Sequence, residues 1–212
     1  MDDMTLDYWL SPNLITIITV TNNDSWLKDY IVKSAYSKSK YLHIIKLFSS
    51  TPGERIEYHD KSNLMVISSP DGGIYDALNQ ALFFVKTPYY LVLGDDDELD
   101  ILNFSDLLYK YSPILTLLNP SVIKFKAFNR YNNKISSYHS VSHILRVKLH
   151  SKYGNYSTWF KIASDQIFLN KLRHENIFES SDVIGVYGGA GISSKGWRLH
   201  FEHRLSQFLK LF

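Results

Sequence analysis

The stretch Tyr89-Tyr90-Leu91-Val92-Leu93-Gly94-Asp95-Asp96-Asp97-Glu98 decides how the rest of the chain is read. Its apolar half reads as a buried strand of the kind found in parallel sheets covered on both faces. Gly94 ends the run, and three adjacent carboxylates follow. Like charges at the end of a buried strand repel one another and do not desolvate cheaply. Solvent, partner groups or a cation must compensate them, and oxygen-only donors favour a hard divalent ion, Mg2+ or Mn2+. The competing reading is a solvated loop in which an Asp caps the following helix. Only the surroundings of the triplet separate the two.

Upstream, Pro88 closes a helix whose apolar face is Ile74, Ala77, Leu78, Ala81, Leu82 and Val85. The turn Ser69-Pro70-Asp71-Gly72-Gly73 precedes it, and before that Leu64-Met65-Val66-Ile67 reads as a short strand. Tyr41 to Phe48 is another strand, ending in the turn-rich Ser49-Ser50-Thr51-Pro52-Gly53. The first strand, Leu14 to Val20, is β-branched and nearly all apolar, and a helix follows it with Asn23 or Asp24 as cap. The order β-α-β-β-α-β predicts a doubly wound α/β sheet, in which ligands bind at the carboxyl ends of the strands. The Asp triplet lies at such an end.

Downstream the pattern is less regular. It predicts a helix near Phe104 to Leu118, strands near Val122 to Arg130 and Ile135 to Val141, and leaves the stretch to about His150 unassigned. A helix near Ala163 to Arg173, a strand near Val183 to Tyr187 and an amphipathic segment from about Trp197 to Leu211 complete the reading. With no repeat or linker, residues 1–212 are expected to form one domain. The halves, about 1–100 and 101–212, are expected to share one sheet and divide two ligands between them.

Composition narrows the function classes. A net charge of +2 with scattered basic residues argues against a nucleic-acid binder. Cysteine is absent, which excludes disulfides and thiolate metal sites. The acidic start Met1-Asp2-Asp3-Met4 is unlike a signal peptide, and no apolar run is long enough to span a bilayer, so a cytoplasmic protein without a transmembrane segment is expected. Aromatic residues make up 15% of the chain, a content that suits sugar-stacking platforms and core packing equally.

Four segments resemble glycosyltransferase family 2 enzymes with the GT-A fold. Ser69-Pro70-Asp71-Gly72-Gly73-Ile74-Tyr75-Asp76-Ala77-Leu78-Asn79-Gln80-Ala81 resembles the family's Pro-Asp-x-Gly-Ile-Tyr-Asp-Ala-x-Asn segment, and Gly94 to Glu98 its Asp-containing strand end. Lys161-Ile162-Ala163-Ser164-Asp165 is similar to the segment carrying the catalytic carboxylate, and Gly188-Gly189-Ala190-Gly191-Ile192-Ser193-Ser194 to the glycine-rich stretch after it. Thr19-Val20-Thr21-Asn22 resembles the family's start. The resemblance implies a Rossmann-like GT-A domain with a mostly parallel central sheet and helices on both faces. It implies a metal-dependent, inverting transfer from a nucleotide-diphosphate sugar, UDP first and dTDP next, to a hydroxyl of a glycan or other acceptor. One departure stands out. Where the family has an Asp-rich turn after its second strand, this chain reads Lys46-Leu47-Phe48-Ser49-Ser50, so base recognition must be rearranged.

By its place in that resemblance Asp97 is the direct metal ligand, and Asp95 and Asp96 divide the ribose hydroxyls and the metal's water shell between them. Thr19, Thr21, Asp71 and Asn79 are the other expected nucleotide-sugar contacts. Asp71 is equally readable as a helix cap, and Asn79 as a buried brace for the Asp95 to Asp97 loop. An acceptor hydroxyl needs a base as it attacks, and Asp165 is the candidate. Its competing role is a first-turn charge facing the helix dipole, with Ser164 as cap. Asp76 reads as solvated or bracing. His200 or His203 is a possible further metal ligand, Lys195 and Arg198 possible partners of the diphosphate, and Trp159 a possible acceptor platform. Two other classes stay open: a sugar-phosphate nucleotidyltransferase, which normally needs a glycine-rich basic loop that Thr21-Asn22-Asn23-Asp24 does not supply, and a noncatalytic glycan- or partner-binding module of the same fold.

Overall fold

The computed structural model describes residues 9, 11–33, 40–51, 53, 55–59, 63–137, 139–189, 202 and 204. Strand β1 (Ile15–Thr21) runs through the middle of the first half, parallel to β2 (Leu42–Phe48) on one side and β5 (Tyr89–Val92) on the other. Strand β4 (Leu64–Ser69) extends this parallel block beyond β2. These strands are buried along nearly their whole length, as their continuous apolar runs require. The edge is closed by β3 (Arg55–His59), antiparallel to β4, a strand the sequence reading missed. Its alternation of polar and apolar residues suits an edge and lacks the signature of a covered strand.

The second half enlarges the same sheet. Strand β7 (Val122–Asn129) and strand β10 (Ile177–Tyr187) are parallel to each other, and the short β9 (His143–Arg146) lies antiparallel between β5 and β7. Two further short strands, β6 (Glu98–Leu99) and β8 (Lys134–Ser136), pair antiparallel with β10 and β7. The order is β3-β4-β2-β1-β5-β9-β7-β10-β6, with β8 on β7. The sheet is therefore mixed, which corrects the expectation of a mostly parallel one. Besides the antiparallel β3, β6 and β8, strand β9 is inserted between two parallel blocks, in the stretch whose pattern had allowed no assignment. The strand expected at Ile135 to Val141 is instead the end of β8 and a 3-10 turn at Ser140–Ser142.

Helices cover both faces. Helix α1 (Asp24–Lys33) and helix α3 (Ile101–Leu118) share one face, over Ile45 and Val66 and over Ile17, Leu91 and Phe125 respectively. Helix α2 (Ile74–Leu82) and helix α5 (Ser164–Lys171) share the other, with Tyr75, Leu78, Phe168 and Leu172 packed around Ile18, Ile44 and Tyr90. A short helix, α4 (Leu149–Tyr153), adjoins this second core. Asn23 caps α1 by accepting the Trp26 amide at 2.9 Å, which decides between the two expected caps. Asp100 starts α3 three residues earlier than expected by accepting from Asn103. Inside α3, Pro113 cannot donate to the Tyr109 carbonyl, and the buried Ser112 hydroxyl takes that acceptor instead at 2.7 Å. No helix among the described residues is long and apolar enough to cross a membrane.

Candidate active site

The carboxyl ends of β1 and β5 and the turn after β10 meet at the Asp triplet. The Leu93 amide donates to the Ile18 carbonyl, and the Asp97 amide to the Gly94 carbonyl at 3.2 Å, so the chain doubles back as soon as β5 ends. Asp97 points inward: its Oδ2 accepts from the Gly94 amide and its Oδ1 from the Gly188 amide, each at 3.0 Å. Asp95 is tied to β1, because the Thr21 hydroxyl donates to its Oδ2 at 2.7 Å. Burial pushes the Asp97 carboxyl up to about 6; the amides of Gly188 and Gly94 oppose that shift, and the charges of Asp96 and Asp95 add to it.

The raised Asp97 carboxyl is chiefly a buried acid, and the adjacent charges of Asp96 and Asp95 add to the cost of ionising it. The donor chemistry fits a hard cation held by one or two carboxylates, which completes its shell with phosphate oxygens and water. Among the described residues no group of three or more His, Cys, Asp or Glu side chains forms a cage of its own. His200, His203, Lys195, Arg198 and the stretch 190–194 lie outside the described residues.

Gly188 is required by contact. A Cβ built there falls 2.0 Å from the Asp96 carbonyl oxygen and 2.7 Å from its carbon, and neither backbone atom can yield without moving the triplet. Gly188→Ala is expected to cost about 1–3 kcal/mol of stability, as overpacking does, and to weaken binding of any ligand that uses Asp95 to Asp97. Chemical denaturation and ligand titration of the variant measure the two effects separately.

Asp165 stands in the first turn of α5. Its Oδ1 lies 2.8 Å from the Gln166 amide and 2.9 Å from the Tyr75 hydroxyl, which also sits 2.5 Å from the Ile162 carbonyl. Burial, and then the charge of Asp165, push the Tyr75 phenol far up, so it remains a donor shared between the two acceptors. Tyr75 thus joins two of the segments on which the family resemblance rests. Ser164, expected as a cap, makes none: the N-cap is Ala163 without a side-chain bond, and the Ser164 hydroxyl is buried without a hydrogen-bond partner among the described residues.

The remaining expected contacts divide. Thr19 is fully buried in the middle of β1, and its hydroxyl bonds His43 Nε2 at 2.9 Å, so it faces the α1 side of the core. Burial holds His43 down at about 3, and neutral His43 in turn meets the Tyr30 hydroxyl at 2.6 Å. Asn79 braces a different element from the one expected. Its amide nitrogen donates to the Tyr156 carbonyl at 2.9 Å and its oxygen accepts the Tyr156 amide at 3.0 Å, clamping α2 to the second half. Asp71 is paired with Lys46: the ammonium, wholly buried, lies 2.9 Å from Asp71 Oδ2 and also donates to the carbonyls of Ser69 and Leu47. Asp71 Oδ1 accepts the Gly73 amide, and Asp76 accepts the Gly72 amide at 2.8 Å, so Asp76 braces the same turn.

Lys161 reaches that turn as well, donating to the Gly72 carbonyl at 2.7 Å. Trp159, two residues before it, is 90% exposed, which removes core packing as an explanation for its indole. Three positions that tie these segments together, Tyr75 to Asp165, Lys46 to Asp71 and Glu202 to the Ile162 amide, escaped sequence reasoning. Tyr75 lay within a quoted motif without a role, Lys46 was visible as a lone charge inside an apolar strand, and Glu202 carried no local signal. A separate cavity of about 450 Å³ lies beside α5, between Lys124, His143, Gln166, Asn170, Arg173 and Glu179, away from the Asp triplet.

No family model matches this chain, and no curated protein matches it in sequence. Its architecture does have solved counterparts. The fold is shared with S. aureus TarS. The structure of TarS 1-349 in complex with UDP-GlcNAc superposes with a TM-score of 0.67 at 17% identity, covering 92% of this chain and 66% of that one. The complex of the same fragment with UDP gives 0.63 at 17% identity over 82% of this chain and 60% of that one. A longer TarS structure gives 0.66 at 17% identity, and there the chain spans only 39% of its counterpart. At such identity the likeness establishes the fold and no more.

Proposed function

We propose that this protein is a glycosyltransferase that moves a sugar from a nucleotide-diphosphate donor, UDP-linked by preference, to a hydroxyl of a glycan or other acceptor. The observation that carries this reading is the placement of two separate carboxylate centres, Asp95 to Asp97 at the end of β5 and Asp165 at the start of α5, on a fold whose solved counterparts include complexes with UDP and UDP-GlcNAc. A divalent Mg2+ or Mn2+ bound there supplies Lewis-acid stabilisation of charge building on the departing diphosphate. Asp97, assisted by Asp95, is the residue that would hold it. Gly188 and Gly94 keep Asp97 aimed, and Thr21 keeps Asp95 in register with it.

Asp165 accepts the proton of the acceptor hydroxyl as that oxygen attacks the anomeric carbon. The new C–O bond forms while the bond to the diphosphate oxygen breaks, the nucleoside diphosphate departs with the electron pair, and the sugar is inverted. Tyr75 fixes the orientation of the accepting carboxylate. Because one carboxylate acts as base and the leaving group departs as an anion, no second side-chain acid is needed.

Release of nucleoside diphosphate from a donor such as UDP-GlcNAc tests this reading. Turnover is expected to require Mn2+ or Mg2+ and to be lost in Asp97→Ala. In the metal-free protein Asp97 holds its proton up to about 6, above its ordinary 3.8, so its contribution to stability is present in acid and is lost as pH rises through that range. Metal must displace that proton, and the metal concentration needed is expected to rise about tenfold for each pH unit below about 6. Turnover that survives in Asp97→Ala would remove the metal assignment.

A further inference from the structure

The segment that carries Asp165 is held from two sides. On one side stands Tyr75, on the Ile162 carbonyl and the Asp165 carboxylate. On the other stands the carboxylate of Glu202, which is only 4% exposed. Its Oε2 accepts from the amides of Lys161 at 3.0 Å, Ile162 at 2.8 Å and Ala163 at 3.2 Å, and its Oε1 lies 3.2 Å from the Lys161 amide. Three successive amides turned onto one anion form a nest, and bonds to an ionised acceptor are about twice as strong as neutral ones. Helix α5 has no side-chain cap of its own, so this borrowed carboxylate occupies the ground just ahead of its first turn.

We propose that Glu202 is a positioning residue for Asp165: by binding the Lys161 to Ala163 amides it fixes the angle at which the chain enters α5, and hence where the base stands. This rests on the transferase reading for the role of Asp165, while the latch itself does not. A buried carboxylate far along the chain is costly unless it is bonded, and here it accepts from three successive amides just before Asp165. Nothing in the arrangement brings Glu202 to a reacting atom. Its effect passes through the backbone.

Glu202→Gln, nearly equal in size but uncharged and carrying amide protons into a ring of donors, is the variant to compare with wild type, and Glu202→Asp replaces it if it does not fold. Hydrogen exchange is expected to accelerate at the amides of residues 161–163 and to stay unchanged in β1 and β5. The transfer rate constant is expected to fall by up to about 100-fold, the scale of a misplacement of one ångström, with donor KM unaltered. In an Asp165→Asn background the Glu202 substitution is expected to add no further loss. Unchanged exchange at 161–163, weakened donor binding, or losses that multiply with Asp165→Asn would each overturn the proposal. If wild type turns over no donor, the transferase reading fails by itself, and the exchange result still decides whether Glu202 latches the segment.

Discussion

Asp165→Asn is expected to lower the transfer rate by about 10²–10⁴-fold, the range that a positioned general base contributes, and to leave donor binding intact. The substitution keeps an acceptor for Tyr75, whose hydroxyl lies 2.9 Å from Oδ1, so the local structure has no reason to collapse. What disappears is the capacity to take a proton at pH 7. The loss is therefore expected in kcat, with the donor KM and thermal midpoint close to wild type. Steady-state kinetics beside calorimetric donor binding checks this. A kcat close to wild type, or a defect confined to donor binding, would take the base role away from Asp165.

Asp71→Ala is expected to have the largest effect on stability. It strands the ammonium of Lys46, which has no exposure to water, in a strand whose neighbours are apolar. Removing one partner of a buried ion pair costs about 3–5 kcal/mol, and at roughly 2–4 °C per kcal/mol for a chain of this size the midpoint should fall by about 6–20 °C. Adding Lys46→Met to that variant is expected to recover most of the loss, because the uncompensated charge is gone. Thermal denaturation of the single and double variants checks it. An Asp71→Ala midpoint within experimental error of wild type would mean that the Lys46 ammonium finds other compensation.

The same pair shows how little of Asp71's surroundings is legible from its local sequence. An Asp before two glycines at a helix start looks available to a ribose, and the partner that claims it sits on β2, where only the oddity of a lysine in the run His43-Ile44-Ile45-Lys46 hinted at a demand for an anion. Thr19 and Thr21 show the limit in miniature. They lie on the same side of β1 by the two-residue period, yet Thr19 is mid-strand over His43, whereas Thr21 is the last residue of the strand and reaches Asp95. Position along the strand separated them, and that depends on where the strand ends.

What could be read locally was read well. The Asp triplet's place at the end of β5, the α2 segment and the start of α5 follow from short-range patterns in apolar runs and turns. What could not was set by pairing between distant parts of the chain. Strand β9 has four residues and no periodicity, and only its fit between β5 and β7 makes it a strand. Tyr75 meets Asp165, and Glu202 meets Lys161 to Ala163, through tertiary contacts for which sequence spacing offers no rule.

A thermal-shift titration with UDP-GlcNAc tests the central claim most directly, run with Mn2+, with a chelator, and on Asp97→Ala. With Mn2+ and donor at about 100 times its dissociation constant, binding should stabilise the protein by about 2.7 kcal/mol, which at roughly 2–4 °C per kcal/mol is a rise of about 5–11 °C. The rise is expected to vanish with the chelator and in Asp97→Ala. An equal rise in all three conditions, or none for any nucleotide sugar, would contradict a metal-assisted nucleotide-sugar site at Asp95 to Asp97.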